Sequence, residues 1–344
     1  MSKISSDLAP DGAPFTRFYL HNQQGMQVTV MDWGATLLSI QVPLVDGTVR
    51  EVILGCANPS DYLQQAAYLG ATVGRYANRI RDAKLLRTGD KLIANQPPHQ
   101  LHGGPQGFSH RRFKTIACHD DHLHLQLISA EGDQGFPGEL CLDVHYRLSA
   151  DNQLQIHYHM HCSKATPVAI TNHSYFNLDP SQGDARQHQL YINADYFQPV
   201  DHQGLPVGPL SPVTGTSFDF RQAKTVQQDF LSDHDQQITA GYDHAFLLNG
   251  PLSNQDCAAR LTSADKKLTL SLYTNYPVLQ CYTGNYLAGT PSRSGYYENY
   301  QGIALEPGFL PDSPNHSPVQ QPDCWIKAGE RAHAYIIYHF ISVN

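Results

Sequence analysis

No segment of the 344-residue chain approaches the roughly 20 apolar residues that span a bilayer, and Met1-Ser2-Lys3-Ile4-Ser5 lacks the apolar stretch of a secretion signal. Runs of basic residues are also missing. Lys and Arg total 23 against 31 Asp and Glu, a formal net charge of -8, which argues against nucleic acid or an anionic membrane surface as a partner. The seven cysteines (Cys56, Cys118, Cys141, Cys162, Cys257, Cys281 and Cys324) form an odd, scattered set without a C-x-x-C pair. They read as reduced thiols, and the expected location is the cytoplasm.

Motifs that would announce other chemistry are equally scarce. The chain has no G-x-S-x-G elbow, no G-x-x-x-x-G-K-[ST] loop and no G-x-G-x-x-G fingerprint, so serine-hydrolase and nucleotide-driven reactions have no foothold. There is no H-E-x-x-H or Asp-rich calcium loop to hold a metal. Nineteen histidines are present, with His157, His159 and His161 on one face of a predicted strand. Alternation alone accounts for that triplet, because a polar residue on a solvent face recurs every second position.

What the chain has in abundance is period-two alternation. Leu154, Ile156, Tyr158 and Met160 fall on one face with Gln155, His157, His159 and His161 on the other, the pattern of a strand with one side in a core. Met26-Val28-Val30, Leu123-Leu125-Leu127, Leu142-Val144-Tyr146-Leu148 and Leu268-Leu270-Leu272 alternate in the same way. Turn clusters such as Asp46-Gly47, Gly132-Asp133, Pro137-Gly138 and Asn249-Gly250 separate them, within a total of 26 Gly and 22 Pro. Helical periodicity is confined to a short stretch, Tyr62 to Tyr68. The texture runs from about Phe18 to Phe340 without a linker, which predicts an all-β chain: one large antiparallel β-sandwich domain, residues 1–344, with few short helices.

Five polar clusters lie in apolar or glycine-rich surroundings, where an unpaired polar group is costly to bury. In Gly74-Arg75-Tyr76-Ala77-Asn78-Arg79 a turn stapled by Arg-carboxylate pairs is the plainer explanation. Leu101-His102-Gly103-Gly104 places a histidine at a glycine loop that lets a ligand approach the backbone. In Thr171-Asn172-His173-Ser174-Tyr175-Phe176 the neighbours of His173 could fix its tautomer, although a satisfied core histidine has the same pattern. Gly241-Tyr242-Asp243-His244 is the fourth cluster. In the fifth, Glu306 ends the apolar run Ile303-Ala304-Leu305 before a rigid Pro307-Gly308 pair, and Asp312 follows in a turn. A structural salt bridge is the alternative for Glu306.

Taken together, and with Asp32-Trp33-Gly34-Ala35-Thr36-Leu37, Val52-Ile53-Leu54-Gly55, Gly215-Thr216-Ser217-Phe218-Asp219-Phe220, Pro277-Val278-Leu279-Gln280 and Pro311-Asp312-Ser313-Pro314-Asn315, these clusters resemble the galactose mutarotase (aldose 1-epimerase) family over nearly the whole chain. The resemblance implies a large β-sandwich with an open cleft, no cofactor and no metal. It also implies a free aldohexose such as galactose or glucose as substrate, and a monomer or weak homodimer. Glu306 matches the family's general base, His173 its general acid, and His102 a second histidine near the anomeric centre; Asn78, Arg79, Asp243 and Gln280 match positions that hold sugar hydroxyls. Phe113 stands where the family commonly carries Trp, and Gly308 where Gln is frequent. With ordinary pKa values near 4.3 and 6.5, Glu306 as base and His173 as acid would need only modest tuning. Trp33 and Phe309 are candidates to stack on the sugar. The rival readings are a hexose-6-phosphate 1-epimerase, which needs extra basic residues for the phosphate, a non-catalytic sugar-binding protein, which could lack Glu306 or His173, and a glycoside hydrolase pairing Asp243 with Glu306.

Overall fold

A computed structural model describes residues 1–343 except 180, 182, 251 and 317–321. Among the described residues the chain is built almost wholly of antiparallel strands, with one α-helix, His234–Ile238, and a few 3-10 turns. The stretch from Tyr62 to Tyr68 is not helical as a whole. A 3-10 turn covers Pro59–Leu63, and the backbone then reverses, with Tyr68 in the left-handed region at φ 55°.

Three sheets carry the architecture. The largest has nine strands in the order Lys224–Thr225, Gln189–Ile192, Ala259–Thr262, Leu268–Thr274, Arg331–Ser342, Gln153–Cys162, Leu140–Leu148, His122–Ser129 and Lys114–Cys118. The alternation read from the sequence is realised there, since Leu154, Ile156, Tyr158, Met160 and Cys162 are all buried while the intervening residues are not. A six-stranded sheet runs Tyr175–Phe176, Ile303–Gly308, Val278–Tyr282, Asp243–Leu248, Ala194–Gln198 and Ser211–Pro212. A five-stranded sheet, from Ser2–Leu8 to Val49–Glu51, carries the N-terminal part.

The sheets meet through one principal core. Ile156 and Tyr338 from the large sheet, Phe246, Leu279 and Leu305 from the six-stranded sheet, and Val28 and Ile40 from the N-terminal sheet belong to the same buried cluster. Phe176 and Tyr338 make an edge-on contact across the layers, ring centroids 5.0 Å apart. Each such side chain withdrawn from water contributes about 1.5–3 kcal/mol, and together they fix the six-stranded sheet rigidly against the large one. Phe113, the departure noted in the sequence, is buried in this core and serves packing. All seven cysteines are free thiols.

Candidate active site

The six-stranded sheet supplies three of the polar residues singled out in the sequence, and its register brings them together. Gln280 stands directly opposite Glu306, and Asp243 stands opposite Tyr282, two residues further along the same face. Small residues occupy the intervening places, Ala245 and Ala304, and leave room above the sheet. Gln280 Nε2 donates to Asp243 Oδ1 at 2.6 Å.

His173 arrives from a different element. Its N–H donates to the Ala71 carbonyl and its own carbonyl accepts from the Gly70 N–H, both at 2.9 Å. Its neighbours Asn172 and Ser174 do not hold the ring, contrary to the sequence reading. Ser174 Oγ donates to Asn172 Oδ1, and Asn172 Nδ2 donates to the Gly70 carbonyl. The imidazole is wedged by rings instead. Tyr68 stacks on it at a centroid distance of 5.9 Å, Tyr175 lies at 5.0 Å, and His102 meets it edge-on at 5.3 Å. Its Nδ1 is buried and has no hydrogen-bond partner among the described residues, while its Nε2 faces Glu306 Oε1 at 3.6 Å.

His102 is oriented by its own turn. It takes φ 52°, its N–H donates to the Asn78 carbonyl, and its Nδ1 accepts from the Asn78 N–H at 3.1 Å. Because a backbone N–H can only donate, the neutral ring carries its proton on Nε2. The glycines that follow serve packing and not ligand approach: a Cβ on Gly103 would fall 1.9 Å from the Gly74 carbonyl oxygen. Arg75, in the first cluster, is a structural residue. Its guanidinium is buried and donates to the carbonyls of Pro137, Gly138 and Ser129, so backbone oxygens take the place of the expected carboxylate. Arg79 extends into the cleft and donates from Nε to Gln96 Oε1 at 3.2 Å.

The outcome is a cleft of about 410 Å³, lined by all seven predicted site residues: Asn78, Arg79, His102, His173, Asp243, Gln280 and Glu306. That volume falls in the range of small-molecule sites. The lining also includes Tyr68, Tyr282, Tyr286 and Gln96, which the sequence reading did not single out. Trp33 and Phe309 are absent from it; Trp33 belongs to a neighbouring buried cluster and Phe309 packs on the core, so the aromatic surfaces available to a ligand are tyrosines. Asp312 is likewise structural, accepting from the Arg81 N–H at 3.0 Å and from Asn315 Nδ2 at 2.7 Å. Gly308 leaves open space: a Cβ there would meet no atom within 4 Å.

Burial changes the electrostatics that the ordinary pKa values suggest. Desolvation, reinforced by the neighbouring Asp243 carboxylate and opposed by Arg79, pushes the Glu306 carboxyl up to about 8. Desolvation pulls His173 down to about 4. His102 is held well below its ordinary value, first by burial and then by the adjacent His173 and Arg79. Asp243 is raised by burial, against the lowering influence of Arg79 and of the hydrogen bond from Gln280. The tuning is therefore larger than the sequence implied and runs in the reverse sense: at pH 7 the Glu306–His173 pair holds one proton, and it resides on the carboxyl.

Fold and cleft define an all-β protein that gathers a carboxyl, two imidazoles and several other polar side chains in one cleft of small-molecule size. Residues 16–339 match the family model described as aldose 1-epimerase. Aldose 1-epimerase of Escherichia coli (strain K12) is 51% identical over 338 residues, which span 97% of this chain and 98% of that protein. Galactose mutarotase of Rattus norvegicus is 36% identical over 333 residues, 95% of this chain and 94% of that protein. The crystal structure of galactose 1-epimerase from Lactobacillus acidophilus NCFM superposes with a TM-score of 0.86 at 30% identity, covering 100% of this chain and 99% of the other. The chain belongs to the aldose 1-epimerase family of isomerases.

Proposed function

We propose that the cleft anomerises a free aldohexose, galactose or glucose, with Glu306 and His173 exchanging protons with the sugar. The observation that carries this reading is the 3.6 Å approach of His173 Nε2 to Glu306 Oε1 beside the polar side chains of Asn78, Arg79, Asp243 and Gln280. Ring opening removes the proton from the C1 hydroxyl and delivers another to the ring oxygen; the C1–O5 bond breaks and the C1–O1 bond becomes a carbonyl. Nothing is oxidised and no group is transferred, so the reaction requires only an acid and a base.

The single proton of the pair gives the reaction two matched states. With the proton on His173, Glu306 is the base for the C1 hydroxyl and His173 the acid for the ring oxygen. Opening leaves Glu306 protonated and His173 neutral, the distribution that burial favours in the cleft. After rotation about C1–C2, Glu306 returns a proton to O1 and His173 takes one from O5, which closes the ring as the other anomer. His102, a neutral donor through Nε2, and Arg79 are placed to steady the oxygens that change charge. Asp243 and Gln280, already bonded to each other, present fixed acceptor and donor positions to the remaining hydroxyls.

A free sugar is favoured over a sugar phosphate because Arg79 is the one Lys or Arg among the described residues lining the cleft. A dianionic phosphate calls for a cluster of such donors. Polarimetry on freshly dissolved α-galactose tests the proposal: rotation should relax faster with protein present, in proportion to its concentration. An unchanged relaxation for galactose and glucose would reject it. We also propose that residues 1–344 act as one domain in the cytoplasm, consistent with a core shared by all three large sheets.

A further inference from the structure

Tyr68 packs on the rings of three histidines. Its own ring lies face to face with His173, centroids 5.9 Å apart and planes inclined by 24°, meets His102 edge-on at 4.7 Å and lies 6.2 Å from His110. The backbone that allows this is one a tyrosine adopts reluctantly. Tyr68 takes φ 55°, in the left-handed region where a Cβ crowds the chain and glycine or asparagine is more at ease. The turn is held on both sides, since the Ala71 N–H donates to the Tyr68 carbonyl at 3.0 Å and the Leu69 N–H donates to Gln65 Oε1 at 3.4 Å. The hydroxyl reaches Asn95, whose amide is bonded to the N–H and the carbonyl of Leu101, the residue before His102. A bulky side chain kept in a sparsely populated conformation marks a position that its surroundings over-determine.

Little else aims the His173 ring. A hydrogen bond to the far nitrogen ordinarily fixes the tautomer and turn of an imidazole. Here Nδ1 is buried without a partner among the described residues, and Nε2 stands 3.6 Å from Glu306, beyond hydrogen-bond length. Orientation is left to packing. Tyr175, on the edge strand Tyr175–Phe176, backs the ring from the sheet at an inclination of 35°, and His102 meets it edge-on. Tyr68 supplies the flat face, and it is also a wall. Gln65, Ala66 and Tyr68 line both the cleft and a second cavity of about 170 Å³, lined elsewhere by Trp33, Ser109 and His110, and Tyr68 has the largest side chain of the three.

Resting on the reading of His173 as the acid, we propose that Tyr68 is its positioning residue: the phenol ring holds the imidazole with Nε2 toward Glu306 and separates the cleft from the second cavity. Without that ring the imidazole is free to swing, and a misplacement of about 1 Å costs a proton transfer about 10²-fold. Solvent entering from the second cavity would also relieve the desolvation that pulls His173 down to about 4, so its titration should move toward the ordinary value. The other titratable groups facing His173 are Glu306 from the strand Ile303–Gly308, Tyr175 and His102, with Arg79 beyond His102. All of them remain when Tyr68 is replaced.

Tyr68→Ala removes the ring and leaves the backbone demand as it is, while Tyr68→Leu fills the space without a flat face. Each should lower kcat for galactose by at least about tenfold with KM changed less, and Tyr68→Phe should return kcat to within about threefold of wild type. NMR of the His173 imidazole reads the second effect without turnover. Its midpoint should stay near 4 in Tyr68→Phe and rise by more than about one pH unit in Tyr68→Ala, and the acid limb of kcat/KM should rise with it. A wild-type kcat in Tyr68→Ala or Tyr68→Leu would overturn the role of Tyr68 and leave the reading of the cleft intact, whereas a wild type inert in polarimetry would overturn both. A loss that Tyr68→Phe does not recover, or a midpoint that Tyr68→Ala does not move, would also overturn the proposal.

Discussion

Glu306 Oε1 and His173 Nε2 approach to 3.6 Å at the floor of the cleft, each side chain almost fully buried. The strand Ile303–Gly308 carries one and a short segment tied to Gly70 and Ala71 the other, so their separation is set by sheet packing and not by a local motif. Burial opposes charge on both, and this fixes how the activity and the stability should depend on pH.

On the proposed mechanism the pair is competent while it holds one proton. Gaining a second, as pH falls through the His173 value near 4, or losing the only one, as pH rises through the Glu306 value near 8, should abolish turnover. We expect kcat/KM to form a plateau between these limits, with the alkaline limb belonging to the carboxyl. Difference infrared spectroscopy checks the assignment: a protonated carboxyl band should fade as pH is raised through about 8 and should be missing from Glu306→Gln. A band that persists only below pH 5 would give the limb to another group.

The same burial costs stability. A carboxyl whose pKa is raised on folding from 4.5 to about 8 loses nothing below pH 4.5 and destabilises progressively as pH rises toward 8. At about 1.4 kcal/mol per tenfold the ceiling of this cost is about 5 kcal/mol. Glu306→Gln should therefore melt several degrees above wild type at pH 9 and close to it at pH 4.5. His173 acts in the opposite window, its fold-lowered pKa removing stability as pH falls from 6.5 through about 4. Equal melting temperatures for wild type and Glu306→Gln at pH 9 would show that Glu306 ionises without penalty.

On the proposed reading Asp243 orients sugar hydroxyls from a position fixed by Gln280, so Asp243→Asn should raise KM more than it lowers kcat. Removing its charge also removes one of the influences that raise the Glu306 carboxyl. The alkaline limb should consequently move to lower pH in this variant. Steady-state kinetics across pH reads both effects, and a wild-type KM with abolished turnover would place Asp243 in the chemistry itself.

Because the proposed proton exchange calls on no metal, EDTA should leave the rate of anomerisation unchanged. Loss of rate in EDTA, restored by one particular ion, would contradict the account.

Much of this was legible in the sequence. Period-two alternation gave the strands, most plainly in Gln153–Cys162, and the polar clusters at Asn78, His102, His173, Asp243, Gln280 and Glu306 all converge on one cleft. Less was legible where several segments act at once. Tyr68, which stacks on His173, lies in a stretch whose spacing imitates a helix, and only the left-handed turn at that residue aims its ring into the site. The pKa reversal depends on burial of both partners, which a motif does not encode.

Turnover and binding measured together on Glu306→Gln test the central claim most directly. Glutamine keeps nearly the shape of glutamate but cannot take the proton of the C1 hydroxyl. Polarimetry should therefore show a fall in kcat of about 10²- to 10⁴-fold, while calorimetry shows galactose binding largely retained. His173→Asn should behave alike, and the double variant should be little worse than either single one, because the two groups serve one exchange. If Glu306→Gln anomerised galactose at the wild-type rate, Glu306 would not be the base and the account of this site would fail.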